Sequence, residues 1–526
     1  MLVGEGARAM GQHFVGQGLK RVFVVCPPPL EPGPIPEGVA LIRSEAELTQ
    51  WLHKRPSPAK NVRILQTPNC SVPTEVTRRY AAVLQQVAQQ QRDFLSPLFD
   101  MAPMWSKNGI RNFAHVANNL MVGDLQTSFA GMPLIIVGAG PSLEKNIGLL
   151  KEAKGKAIIL AVNRTLRSLQ NAGIYPDFTI ALEPRDVLCQ FEGIALENIP
   201  GILLATTVDR NLYDLQARRF ISYYNQLSLD GWMFGAADQQ HDALSQGTVS
   251  HSAFSLGIRW GCNPIIFVGQ DLSFPGGRYY HKDGADGGTE AVYNADADRW
   301  QLQGYSQDLS DTLKGKEAKH FEGTMVPGYH GGEVPTSLDF AKYRAWFEHT
   351  AEQMNGPVSL FNCTEGGAFI GGMEHKPLAE VLSSLPDRGI DVEAILRSPE
   401  LVPVQQARQA RMQAHFAQMT QDLEQAAKLS KECLRLIGKT LKKPQMMGRL
   451  KAVETEFKAT AKRLPVLTLA TQEAIKGVIA SKGDIKTNQD SLRVGKRLYT
   501  ILHEKALILH REAKAVTAEW QANRGS

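Results

Sequence analysis

Between residues 134 and 268 the chain repeats one pattern six times: a short, largely apolar run, a polar turn, then residues at helical spacing. The apolar runs fall at 134–137, 157–162, 178–182, 201–206, 220–223 and 265–268. A strand that is apolar on nearly every residue is buried on both faces, which happens when helices cover a parallel sheet from either side. The expected fold class is therefore α/β, with a doubly wound central domain over 123–390 closed by a helix at 337–354 and a strand at 358–361. The 526 residues leave room for more than this one domain. Residues 1–73 read as a smaller α/β unit with strands at 1–4 and 22–25 and a helix at 6–18, and they begin inside a strand, as a truncated domain would. Residues 74–122 read as a helical connector. After Pro403 glycine becomes rare and apolar residues recur three and four apart, as in Leu423, Ala426, Ala427, Cys433, Leu434 and Ile437. That spacing predicts a C-terminal α-helical bundle over 391–526, divided near Pro444, Pro465 and Gly483 into about four helices. The stretch 274–332, rich in Gly, Asp and Tyr, reads as long polar loops.

Composition narrows the setting. No apolar run approaches the ~20 residues needed to cross a bilayer, and no signal segment opens the chain, so a cytoplasmic protein without a membrane span is expected. Six cysteines (Cys26, Cys70, Cys189, Cys262, Cys363, Cys433) lie far apart with no CxxC pair, the pattern of reduced, mostly buried thiols. The net charge of +5 hides an asymmetry: residues 401–526 hold 23 Lys and Arg against 11 Asp and Glu, a net of +12, so residues 1–400 carry −7. Such a tail is either a solvated helical face or a docking surface for an acidic protein partner. No nucleic-acid partner is expected.

The first of the six runs leads into the turn Gly138-Ala139-Gly140-Pro141-Ser142-Leu143. Glycines there permit close backbone approach, and a helix starting at Pro141 to Glu144 would turn unpaired N–H groups toward the turn, a site for an anion. The third glycine of a dinucleotide fingerprint and the lysine of a P-loop are both missing, so neither NAD nor ATP follows. Gly4-Glu5-Gly6 resembles the opening of a Rossmann turn, but the next glycine is Gly11 and no acidic residue ends the strand at 22–25, so a scaffolding Rossmann-like unit is the better reading. In open α/β sheets ligands bind beyond the carboxyl ends of the strands. The residues there are Gly138, Gly140, Pro141, Ser142 and Leu143; Asn163 and Arg164; Glu183, Arg185 and Asp186; Thr206, Thr207 and Asp209; Thr248, Ser250 and His251; and Gly269, Gln270 and Asp271. Asp177, in Tyr175-Pro176-Asp177-Phe178, is either a ligand contact or a turn cap. His330 and His281, both in loops, are the candidates for a general base, and Tyr279, Tyr280 and Tyr329 for phosphate contacts. Asp296-Ala297-Asp298 lies in a loop rather than at a strand end, so no metal ligand is assigned and a metal-independent reaction is expected.

Five blocks in order resemble the motility-associated factor (Maf) flagellin glycosyltransferases: GAGPSL at 138–143, AVNRTLRSL at 161–169, AGIYPDFTIALEP at 172–184, GTVSHSAFSLGIRWGCNPIIFVGQDLSF at 247–274 and NCTEGGAFIGG at 362–372. The flanking regions are similar to that family's three-part layout. The resemblance implies transfer of a nonulosonic sugar, pseudaminic or legionaminic acid, from its CMP donor to Ser or Thr hydroxyls of flagellin, a step toward flagellum assembly and motility, with no further cofactor. It also implies a sialyltransferase-like central fold, in which Gly138, Gly140, Pro141, Ser142, Leu143, Asn163 and Thr248 hold the cytidine nucleotide. His330 falls roughly where sialyltransferases place a catalytic histidine, and His281 matches a histidine that follows the GQDL block in the Maf pattern. Glu183-Pro184 departs from the usual Asp-Pro of that pattern. The basic tail and the N-terminal unit are expected to present flagellin, so a chain lacking 401–526 is expected to keep CMP binding. The GAGPSL block also resembles 6-hydroxymethyl-dihydropterin pyrophosphokinase, and a non-catalytic flagellin-binding protein is a further alternative.

Overall fold

The computed structural model describes residues 73–224, 247–284, 286–294, 299–304, 320–354, 356–480 and 487–522, with Leu2–Val3, His13, Val22–Val25, residues 39–45 and 47–48, and Leu65–Gln66 before them. The chain divides into two compact units, Met1–Ala102 and Pro103–Ser526. The first holds four parallel strands, β1 (Leu2–Val3), β2 (Val22–Val25), β3 (Val39–Ile42) and β4 (Leu65–Gln66), in the order β3-β2-β1-β4 of half a Rossmann fold. Apart from His13, the helix expected over 6–18 lies outside the described residues. Helix α1 (Thr74–Asn118) begins in this unit, where the Tyr80 hydroxyl donates to Arg43 O at 2.9 Å, and ends in the second.

The second unit is built on nine strands, all parallel: β5 (Leu120–Met121), β6 (Leu134–Val137), β7 (Ile158–Val162), β8 (Phe178–Ala181), β9 (Gly201–Ala205), β10 (Phe220–Tyr223), β11 (Ile265–Val268), β17 (Leu360–Asn362) and β18 (Glu374–His375). Their order is β18-β17-β11-β6-β7-β8-β9-β10-β5. The connecting helices are α2 (Leu143–Asn146), α3 (Leu166–Asn171), α4 (Val249–Arg259), α5 (Leu338–Met354), α6 (Leu378–Ser384) and α7 (Val392–Leu396). Because neighbouring residues of a strand face opposite ways, the largely apolar runs feed two cores. Leu134, Ile136, Leu160 and Ile180 pack with Phe254, Trp260 and Phe347 on one face. Ile135, Val137, Ile159 and Val268 pack with Leu143, Leu169, Leu378 and Leu382 on the other.

Two expectations need correction. The stretch 274–332 is not all loop. It forms a three-stranded antiparallel sheet of β12 (Glu290–Asn294), β13 (Arg299–Gln303) and β14 (His320–Phe321), and the hairpin of β15 (Gly323–Pro327) and β16 (Glu333–Ser337). Phe274, Ala291 and Leu302 give it a small core of its own. The connector expected over 74–122 is also more than a link, because Leu120–Met121 pairs with β10 as the edge of the main sheet.

The tail folds as α8 (Leu401–Thr440), α9 (Met447–Lys462), α10 (Pro465–Ala480) and α11 (Asn488–Ala522), broken at Pro444 and Pro465 where proline cannot continue the hydrogen-bond ladder. Gly483 lies outside the described residues. The tail packs against the second half of α1. Met412, Phe416, Leu423 and Trp520 share one apolar cluster with Ile110, Phe113 and Val116 of α1, and the Phe113 and Phe416 rings are 4.5 Å apart. Arg408 of α8 bonds both carboxylate oxygens of Asp124 at 2.6 Å, with each side chain 1% exposed. Cys262, Cys363 and Cys433 are buried thiols and Cys189 an exposed one; Cys26 and Cys70 lie outside the described residues.

Candidate functional site

Strand order reverses beside β6: the chain runs outward through β7 to β10 on one side, then returns to place β11, β17 and β18 on the other. The crevice at such a switch point is where open α/β sheets bind ligands. Three turns meet there, 138–142 after β6, 269–271 after β11 and 363–367 after β17. Gly140 N–H donates to Gly269 O at 2.8 Å, and a Cβ on Gly140 would stand 1.9 Å from Asp271 Oδ2. The first turn is therefore glycine-rich because two strand ends pack against each other. Ser142 donates its hydroxyl to Asp271 Oδ1 at 2.6 Å and its N–H to the same carboxylate at 3.2 Å. Burial pushes the Asp271 carboxyl up to about 6, against the opposing pull of the Ser142 hydrogen bonds, Lys145 and Arg278.

The expectation of open amides at a helix start does not hold. Helix α2 is only four residues long, and the N–H groups of Leu143, Glu144 and Lys145 bond back to the carbonyls of Gly140, Pro141 and Ser142. This turn closes on itself.

Beside it lies a cleft of about 480 Å³, walled by Pro141, Ser142, Glu144 and Lys145, by Pro275, Gly276 and Arg278, by residues 328–331 and Val334, and by Gly366 and Gly367. Glu144 receives Arg278 Nη1 at 2.9 Å and also Lys282 Nζ; the Lys282 and Arg278 hydrogen bonds pull its carboxyl down to about 2. Lys145 Nζ donates to Glu365 O at 2.6 Å, and His330 Nε2 meets the same oxygen at 3.0 Å. Since a carbonyl only accepts, the His330 proton sits on Nε2 and leaves Nδ1 an acceptor. Two non-glycine residues at these loops adopt left-handed backbone, Leu272 (φ 48) and Glu365 (φ 57), a strain that proteins retain where a site needs it. The Glu365 side chain accepts Leu378 N–H at 3.0 Å and so anchors the strained residue to α6.

The other expected residues divide clearly. His281 is buried outside the cleft lining. Its N–H donates to Ala139 O at 2.9 Å and its Nδ1 accepts Asp283 N–H at 3.2 Å, which puts its proton on an unpartnered Nε2; burial lowers its pKa. Asn163 bonds Gln190 Oε1 at 2.6 Å, and Arg164 pairs with buried Asp286. Glu183 accepts the N–H and guanidinium of Arg185. Thr206 is buried at the end of β9, three strands from β6, or ~14 Å at ordinary strand spacing. Thr248 caps α4, its hydroxyl accepting His251 N–H at 3.2 Å, and Ser250 is buried in that helix's first turn. Asp177 is placed away from the site. It precedes β8, at the amino edge of the sheet, where its carboxylate accepts Ile159 N–H at 2.8 Å and its own N–H donates to Ile159 O at 2.9 Å, which ties the start of β8 to β7. Tyr279 is packed among Phe274, Tyr280 and Phe340, and the Tyr329 hydroxyl donates to Asn362 O at 3.1 Å. Asp296 and Asp298 lie outside the described residues.

Sequence reasoning missed Lys145, Arg278 and the Gly366-Gly367 turn. The strand-end rule, applied to the strand at 358–361, would have found the last of these.

Residues 107–277 match the family model of MptE-like 6-hydroxymethylpterin diphosphokinases. Among solved structures, the Maf glycosyltransferase from Magnetospirillum magneticum AMB-1 superposes with a TM-score of 0.56 at 15% identity, covering 99% of this chain and 79% of that one. The fold is that of a Maf glycosyltransferase. No curated protein matches the sequence. The Maf-like fold takes in the flanking unit and the helical tail, whereas the MptE-like match stops at Gly277.

Proposed function

We propose that this chain is a glycosyltransferase that moves a nonulosonic sugar from a CMP donor to Ser or Thr hydroxyls of flagellin in the bacterial cytoplasm, in support of flagellum assembly and motility. The observation that carries this reading is the reach of the Maf-like fold over 99% of the chain, because it includes the part of the cleft wall (328–331, Val334, Gly366, Gly367) that lies beyond the MptE-like segment. In this reading the acceptor hydroxyl attacks the donor's anomeric carbon as the bond to phosphate breaks, and the bonding electron pair leaves with CMP. His330 Nδ1 takes the hydroxyl proton. The Asp271–Ser142 bonds hold the turn after β6 rigid against the turn after β11, which fixes the cleft's geometry before ligand arrives. Neither a metal nor a further cofactor is assigned a role.

The match over 107–277 favours a second reading, diphosphate transfer from ATP to a pterin alcohol. Thermal-shift titration of the full chain with CMP, CDP, UDP and ATP, each with and without magnesium, separates the two. Stabilisation selective for CMP is expected; stabilisation by ATP with magnesium and none by CMP sinks the glycosyltransferase reading. We further assign flagellin docking to the basic tail, where Lys439, Lys442 and Lys443 are exposed. Changing all three to Glu is expected to weaken flagellin co-sedimentation at least fivefold at low salt while CMP binding stays unchanged.

A further inference from the structure

We infer that the phosphate-binding point of the cleft is the Glu365–Gly367 turn together with Lys145, and not the glycine turn after β6. This rests on the nucleotide-donor reading above and says which atoms take the donor's anion. The turn after β6 has little left to offer a phosphate: the N–H groups of Gly138 and Gly140 donate to Val268 O and Gly269 O, those of Leu143 to Lys145 bond back into the turn, and Ser142 gives both its donors to Asp271. The turn after β17 is arranged the other way. Its backbone passes through left-handed conformations at Glu365 (φ 57) and Gly367 (φ 73), the type of winding that gathers successive N–H groups into a concave anion nest. The bonds that hold this turn run through Ala368 N–H to Asp271 O (2.7 Å), Phe369 N–H to Pro327 O (2.8 Å) and Tyr329 N–H to Gly367 O (2.9 Å); the N–H groups of Gly366 and Gly367 take no part in them. Both glycines line the cleft.

Charge points to the same place. Arg278 and Lys282 share the single negative charge of Glu144, whereas Lys145, exposed on the cleft wall, donates to the neutral Glu365 carbonyl and has the buried Asp271 carboxyl as a longer-range opposite charge. The nearby carboxylates are all engaged: Asp271 by Ser142, Glu144 by its two cations, and Glu365 by Leu378 N–H. An anion at Lys145 therefore meets an ammonium hydrogen-bonded only to a neutral carbonyl, beside the backbone of Gly366 and Gly367. Gly366 is pressed against the Ser142 hydroxyl so closely that a Cβ there would stand 2.1 Å from Oγ, which fixes the nest to the Asp271–Ser142 pair. The carbonyl that holds Lys145 also holds His330 Nε2, so the group that receives the leaving phosphate and the group that takes the proton share one anchoring atom.

Isothermal titration of the full-length protein with CMP, with cytidine and with inorganic pyrophosphate tests the assignment. Lys145→Met is expected to weaken CMP and pyrophosphate roughly tenfold or more, the effect of losing a bond to a charged group. Cytidine, which has no phosphate, is expected to bind equally to both proteins, and Lys145→Arg to restore most of the CMP affinity. Lys145 is exposed, so its variants should fold, and an unchanged thermal midpoint without ligand checks that. Wild-type CMP affinity in Lys145→Met overturns the inference and leaves the transferase reading standing. If the wild-type chain binds pyrophosphate but not CMP, and Lys145→Met loses the pyrophosphate, the transferase reading fails while the anion point holds. Absence of binding by all three ligands overturns both.

Discussion

A carboxyl group that is 2% exposed and titrates near 6 holds its proton more tightly in the folded chain than in the unfolded one, where it would titrate near 4. The sign follows from linkage. The stabilising effect of the raised pKa at Asp271 is fully present below about pH 4 and is lost as the pH rises through about 6. Asp271→Asn removes that dependence while keeping an oxygen for Ser142. Its stability relative to wild type is expected to improve from pH 4.5 to pH 7 by about 2 kcal/mol, measured by urea unfolding at both values; a constant difference would show that Asp271 titrates normally. At Gly140, an added Cβ has to displace the same carboxylate from Ser142. Gly140→Ala is expected to cost about 2–4 kcal/mol in the same assay and to weaken CMP binding with it.

At the scale of elements, the second half of α1 sets the spacing of two strand ends. Asn108 donates to Pro184 O (2.8 Å) and Thr207 O (3.1 Å), and Asn112 to Thr206 O (3.0 Å) and Val208 O (2.8 Å). Asn112→Leu removes the side-chain donor that Thr206 O and Val208 O share and is expected to destabilise by about 2–3 kcal/mol, read from the denaturation midpoint. One turn later His115 stacks on Tyr213 at 4.8 Å, and burial, reinforced by Arg210 against Glu519 and Asp214, lowers its pKa to about 4. Its contribution is present above about 6.5 and lost as the pH falls through 4, so His115→Gln is expected to flatten the acid limb of a thermal-stability profile. Strands β6 to β11 and β17 were legible in the sequence to within about two residues because they are largely apolar, whereas β5 and β18, of two residues each, were not. Strands β12 to β16 were not, since they mix polar and apolar residues without a continuous apolar run and bury few side chains. For the site, the strand-end rule identified the loops but not the task of each side chain. Asn163, Thr206 and Thr248 are the residue types that bind nucleotides and equally those that cap helices and bind neighbouring loops, and only their partners separate the two uses.

The charge asymmetry takes on a different sense in the whole molecule. Where the basic tail meets the acidic body, two ion pairs run against the net charges: Glu512 of α11 binds Arg111 at 2.7 Å and Glu519 binds Arg210 at 2.9 Å. Tail acids are thus used at the seam, which leaves the tail's outer surface more basic than its net of +12 suggests. The Arg408–Asp124 pair at the same seam is buried, and removing one partner strands the other charge. Arg408→Met is expected to cost about 3–5 kcal/mol and the double change Arg408→Met with Asp124→Asn to recover most of it, measured by denaturant unfolding. A double variant no more stable than the single one would show that Arg408 acts mainly through its carbonyl bond to Asn119.

The cleft draws its walls from four stretches, near residues 141–145, 275–278, 328–334 and 366–367. Contacts so distant in sequence form late, because each requires a long loop of chain to close first. A chain emerging from the ribosome would therefore have no binding site until residue 367 is free to pair, and proteins stalled short of that point would carry the glycine motif yet bind nothing. Protection from proteolysis by a cleft ligand is therefore expected only of chains long enough to have formed all four stretches.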